Sequence, residues 1–170
     1  MLNSVMKLAA GLAIAAATVT AAFAADLAAP KGDVVLSLTG AITQTNAKAT
    51  ANFDMDMLKA MPAVTFKTAT NWTKGETTFT GVSLKALLAA VGAKGKNLHS
   101  IALNDYAVDI PVADAVDGGP IVAYLMDGKP MSPRDKGPLW VVYPFDSNAA
   151  YKTEEVYSRA IWQLSRIDVQ

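Results

Sequence analysis

The stretch "FKTATNWTKGETTFTGVSLKALLAAVG", residues 66–92, decides how the chain is read. Its second half is the clearest helix in the sequence. Ser83 stands at the capping position, Leu84, Leu87, Leu88 and Val91 recur at i, i+3, i+4 and i+7, and Gly92 marks the end. Its first half is an alternating strand, Val64, Phe66 and Thr68 against Thr65 and Lys67, then a polar loop, then the short extended piece "ETTFTG". Trp72 sits in that loop among Thr, Asn, Lys and Gly. A large aromatic ring in a polar loop reads as a platform for something flat; the plainer alternative is a ring that packs back on the sheet.

Outward from this stretch, strands outnumber helices. "DVVLSLTGAIT" alternates from Val35 to Ile42 around Gly40, as a bent strand does. A turn over "TQTNAKAT" leads to a short helix in "FDMDMLKAMP", with Asp54 as N-cap and Pro62 as stop. Two strands flank a tight turn at Asn104–Asp105, and another strand runs into an Asp-Gly turn at Asp127–Gly128. "LWVVYP" reads as a buried strand, "FDSNAAYKTEEVY" as a long loop, and the ending as a short turn and a final strand. With no regular strand–helix alternation, the pattern predicts an α+β domain with a curled, mostly antiparallel sheet and short helices.

The first 24 residues have the layout of a secretory signal peptide: Lys7, an Ala-rich apolar run, and small residues at Ala22 and Ala24. Cleavage is expected after Ala24 and the location is expected to be periplasmic. Residues 25–32 then form a flexible lead and 33–170 one domain. Removing the leader takes one Lys from the 15 Lys+Arg and none of the 15 Asp+Glu, which leaves a net charge of −1. That is too little positive charge for nucleic acid, and no helix carries a basic face for membrane insertion. The chain has 0 Cys and 1 His, so disulfides, thiolate metal sites and multi-histidine sites are excluded. Roughly 146 remaining residues suffice for a core without staples.

Polar and aromatic residues gather at the strand ends. Thr68, Thr70, Asn71 and Trp72 form one loop, and Asn104, Asp105 and Tyr106 another. Arg134, Asp135 and Lys136 lie in a connector, Tyr143 ends a strand, and Tyr157, Ser158, Arg159 and Trp162 lead into the last one. If these edges converge, rings, a carboxylate and a guanidinium surround one cleft. Such a mixture suits a planar heterocycle with a donor-and-acceptor edge.

The segments "FTGVSLKALLAAVG", "LNDYAVDIP", "AYLMDGKPMSPRDKGPLWVVYP" and "SRAIWQLSRIDV" resemble the sulfite-oxidase-type molybdopterin-binding family, in the family's order over most of residues 33–169. The resemblance implies the sulfite-oxidase-type fold with one pterin-holding cleft. It also implies a Cys ligand to molybdenum at the position held here by Thr68, and basic residues where Trp140 and Ile161 stand. Those departures argue against redox catalysis. The motifs are most similar to those of small, exported, Cys-less members that bind free pterins. These members signal to the sensory region of an inner-membrane enzyme of cyclic di-GMP metabolism. The expectation is therefore a non-catalytic binding protein for free, reduced pterins, with no molybdenum. Trp72 would stack on the pterin with Thr68, Thr70 and Asn71 beside it, Asp105 or Asp135 would accept from its N–H edge, and Arg134 would face its oxo edge. Tyr106 or Tyr143 would close the other face, with Ser158 and Trp162 nearby. The alternatives are a molybdopterin-dependent oxidoreductase subunit and an interaction protein with a vestigial cleft.

Overall fold

The computed structural model describes residues 27–170. The expected signal peptide lies outside them. Among the described residues no helix is long and apolar enough to cross a membrane.

Among the described residues, two five-stranded sheets carry the fold. The first has strand order β2-β1-β10-β5-β6, from β1 (Val34–Gly40), β2 (Ala51–Asp54), β5 (Asn97–Ala102), β6 (Ala107–Pro111) and β10 (Leu164–Val169). The second runs β3-β4-β7-β8, with β9 paired to β7. It is made of β3 (Ala63–Ala69), β4 (Glu76–Ser83), β7 (Ile121–Met126), β8 (Lys129–Pro130) and β9 (Trp140–Val142). Every pairing is antiparallel except β1 with β10. The α+β class holds, with two sheets where one curled sheet was expected.

Period-2 patterning explains the layers. In β5, Leu98, Ser100 and Ala102 are buried and alternate with half-buried Asn97, His99 and Ile101. Leu36 and Leu38 of β1 join them from the same sheet, and Phe79, Val82, Val122 and Trp140 from the other, in one core cluster. The helix α2 (Leu84–Ala90) adds Leu84, Leu87 and Leu88. Gly81 lies where β4 shifts register against β7, and a Cβ there would meet the Val122 carbonyl oxygen at 2.1 Å. Only glycine allows that approach.

Local chemistry was partly legible. Asp54 caps α1 (Met55–Ala60) by accepting from Met57 N–H at 2.8 Å. Its other oxygen accepts from Lys31 and Gly32 N–H at 2.7 and 2.9 Å. These bonds, led by Gly32, hold its carboxyl below the usual range. They also tie Lys31 and Gly32 to the start of α1. Two expectations are corrected. The residues before α1 form β2, paired to β1, because Ala51 and Phe53 bury on the core face. The expected loop over 145–157 is structured: two single-turn helices, Phe145–Ser147 and Ala149–Tyr151, precede α3 (Glu154–Ser158). Thr153 caps α3 by accepting from Val156 N–H at 3.2 Å.

Candidate ligand-binding site

The hydroxyl residues around Trp72 hold its loop. Thr70 Oγ1 accepts from Trp72 N–H at 3.1 Å and shares a 2.8 Å hydrogen bond with Thr73 Oγ1. That turn sets a half-buried indole against three rings, all nearly perpendicular to it: Trp162 at 5.4 Å, Trp140 at 6.0 Å and Tyr157 at 6.0 Å between centroids. Edge-to-face contact is the favoured geometry for such pairs. Trp140 lies beneath, fully buried, against Phe79 at 5.3 Å. Among the described residues its indole N–H has no hydrogen-bond partner, and it has no solvent access, so it does not open into the cavity above.

That cavity has a volume of about 420 Å³, toward the low end for small-molecule sites. Trp72 forms one wall, Asn104 and Tyr106 of the β5–β6 turn a second, and Tyr157 and Ser158 at the end of α3 a third. Ile161 and Trp162, just before β10, complete it. Tyr106 is 58% exposed, so its ring stands at the rim. Among the described residues, no charged side chain lines the cavity. Its polar-bearing lining residues are Asn104, Ser158, Tyr106, Tyr157, Trp72 and Trp162.

Of the residues singled out in the sequence, Trp72, Asn104, Tyr106, Tyr157, Ser158 and Trp162 meet here. Thr68, Thr70, Asn71, Asp105, Arg134, Asp135 and Tyr143 are not part of the lining. Thr70 and Asn71 directly precede Trp72 in its loop. Asp105, at φ 62°, shapes the β5–β6 turn, and its carboxylate pairs with Arg166 at 2.7 Å. Asp135 pairs with Lys136 at 2.9 Å, and exposed Arg134 stays in the connector. Tyr143 is fully buried away from the cavity and donates to Asp114 at 2.7 Å. Burial, with the Asp114 carboxylate second, pushes its phenol pKa far up. Arg159 donates to the same carboxylate oxygen at 2.9 Å and also pairs with Glu155. This node fastens the end of α3, and with it Ser158.

Tyr157, grouped in the sequence with Ser158, Arg159 and Trp162, has no assigned contact there, because its wall depends on α3. Its ring stacks on Phe145 at 4.3 Å, which turns the segment taken for a loop into the backing of the site. The Thr153 cap, followed by Glu154 and Glu155, was the available signal.

Thr68 is fully buried at the end of β3. Its hydroxyl accepts from Asp146 N–H at 3.1 Å and lies 3.3 Å from the Asp146 carboxylate. That carboxylate accepts from Ala69 N–H at 2.6 Å and pairs with Lys152 at 2.7 Å. The Ala69 bond first, and Lys152 next, hold its carboxyl below the ordinary range.

The model of one protein family, the oxidoreductase molybdopterin binding domain, matches residues 36–150. The chain belongs to that family. Among solved structures it is similar to the sulfane dehydrogenase SoxCD from Paracoccus pantotrophus, with a TM-score of 0.61 and 18% identity. The match covers 79% of this chain and 37% of that one, so the chain spans well under half the length of that relative. At this identity the likeness shows the shared fold, of the sulfite-oxidase type. No curated protein matches.

The residues present do not fit a thiolate-anchored molybdenum cofactor. The chain has no Cys, and among the described residues no group of three or more His, Asp and Glu could hold a metal ion. Thr68, at the expected ligand position, is enclosed by Asp146. Among the described residues, none lining the cavity is a cation that could meet a phosphate.

Proposed function

We propose that this chain is a binding protein for a free, unphosphorylated pterin, seated in the Trp72 cavity, and that it acts by signalling and not by catalysis. The observation that carries this reading is an uncharged cavity walled by Trp72, Tyr106, Tyr157 and Trp162. Aromatic walls attract a flat bicyclic ring, and an uncharged lining gives a phosphate ester nothing in exchange for its water. Each ring contact adds about 0.5–1.5 kcal/mol beyond area, and micromolar affinity needs about 8 kcal/mol. Several walls must therefore act together with apolar burial. The Asn104 amide and Ser158 hydroxyl supply the edge recognition that Arg134, Asp105 and Asp135 were expected to give.

In this reading the protein is exported to the periplasm, where its liganded state is read by the sensory region of an inner-membrane enzyme that makes or degrades cyclic di-GMP. The test is a competition titration, reading tryptophan fluorescence, between a reduced free pterin and its phosphate ester. Preference for the free ring by tenfold or more supports the proposal; equal or tighter binding of the ester overturns it.

A second reading, a subunit of a molybdopterin oxidoreductase, is favoured by family membership. Stoichiometric molybdenum in protein purified from its native host would establish it in place of the first.

A further inference from the structure

Two cavity walls and the Arg134 connector converge on one residue, Gln163. It has φ 54°, a left-handed backbone that side-chain-bearing residues other than Asn and Asp rarely adopt. Its backbone N–H donates to the Lys136 carbonyl at 3.0 Å, and its carbonyl accepts from Leu103 N–H at 2.9 Å. Its side-chain Nε2 donates to the Pro133 carbonyl at 2.6 Å. One residue thus holds the 132–137 connector twice and the β5–β6 turn once. That turn carries Asn104 and Tyr106.

Ile161 and Trp162, which both line the cavity, lie immediately before Gln163 and outside β10, which begins at Leu164. Val141 N–H donates to the Ile161 carbonyl at 2.9 Å, and Leu164 N–H to the Leu139 carbonyl at 2.9 Å, so the segment is fixed on both sides of Gln163. Trp162 meets Trp72 at 5.4 Å and Trp140 at 6.2 Å.

We infer that Gln163 is a positioning residue for the ligand cavity: its strained backbone and the hydrogen bond its side-chain amide donates to the Pro133 carbonyl fix Trp162 and the Asn104–Tyr106 turn at their working separation. It touches no ligand itself, since it is absent from the cavity lining. A strained, non-glycine conformation held by bonds on three sides is maintained by its surroundings. The amide is the part that a sequence change can remove without disturbing the backbone.

Two variants test this. Gln163→Gly relieves the backbone strain and keeps both backbone bonds but loses the amide. Gln163→Glu keeps the shape and replaces the donor to Pro133 with an acceptor. Two readouts are taken on the purified protein: near-ultraviolet circular dichroism of the tryptophan cluster with acrylamide quenching, and calorimetric titration with a reduced free pterin. The thermal midpoint is measured in parallel.

Gln163→Gly is expected to melt at or above the wild-type temperature while its tryptophan signal weakens and quenching rises. Its pterin affinity should fall by about two- to tenfold, the range for one lost hydrogen bond. Gln163→Glu should show the same losses. The titration rests on the pterin reading, and the spectroscopic readout does not. If the wild type binds no pterin, that reading fails, and the tryptophan signal alone decides the role of Gln163. Wild-type spectra and quenching in both variants would overturn the inference. So would losses that merely follow a lowered melting temperature.

Discussion

Replacing Trp72 by Ala removes a ring that is at once a cavity wall and a packing element, and the two roles separate by measurement. The indole makes three edge-to-face contacts, at 5.4, 6.0 and 6.0 Å. At the low end of about 0.5 kcal/mol each, suited to a half-buried ring, these sum to roughly 1.5 kcal/mol. A fully buried Trp→Ala change costs about 3–5 kcal/mol, which sets the ceiling. About 2 kcal/mol is therefore expected, or a fall of roughly 4–8 °C in the melting temperature for a chain of this size. Pterin affinity should fall by about two- to twelvefold, equivalent to one stacked ring. Urea unfolding followed by circular dichroism reads the first quantity and calorimetric titration the second. Trp72→Phe, which keeps a ring, should show less than half of each effect. If Trp72→Ala loses stability and keeps full affinity, the ring only packs on the sheet. If neither quantity changes, the account of the loop is wrong.

Other expectations concern the elements behind the site. Asp114→Ala leaves the buried Tyr143 hydroxyl without an acceptor and frees Arg159, and should cost about 1–3 kcal/mol in urea unfolding; Asp114→Asn, which keeps an acceptor, should cost less. The Asp146 carboxyl lies below its unfolded value, so its stabilisation is complete above the ordinary carboxylate pKa of about 3.9 and is lost as pH falls through the lower folded value. Melting curves of wild type and Asp146→Asn should therefore differ at neutral pH and converge in acid; a constant gap at all pH values would show that the carboxylate charge is not what matters. Gly81→Ala places a methyl group 2.1 Å from the Val122 carbonyl and should abolish soluble folded protein, as read by expression and circular dichroism.

The helix α2, the caps at Asp54 and Thr153 and the turns at Asp105 and Asp127 follow from local chemistry, and local chemistry is written in sequence. The pairing of β1 with β10 is not: it joins Ser37 to Arg166 across nearly the whole chain, and nothing nearby specifies it. The site divides in the same way. Trp72 was conspicuous because its neighbours are polar. Tyr143 looked equally available at a strand end, yet it is turned inward to Asp114, a partner far off in sequence. Arg134 and Asp135 looked like recognition groups, but charge in a connector says nothing of which side faces a cavity. Gln163 gave no signal, because a left-handed backbone at a residue other than glycine leaves no mark in composition or spacing.

The central claim is that the Trp72 cavity holds one free pterin. Calorimetric titration of the purified protein with a reduced, unphosphorylated pterin tests it most directly. The account predicts saturable binding of one pterin per chain at micromolar concentration. The absence of saturable heat with any free pterin would contradict it and leave only the fold.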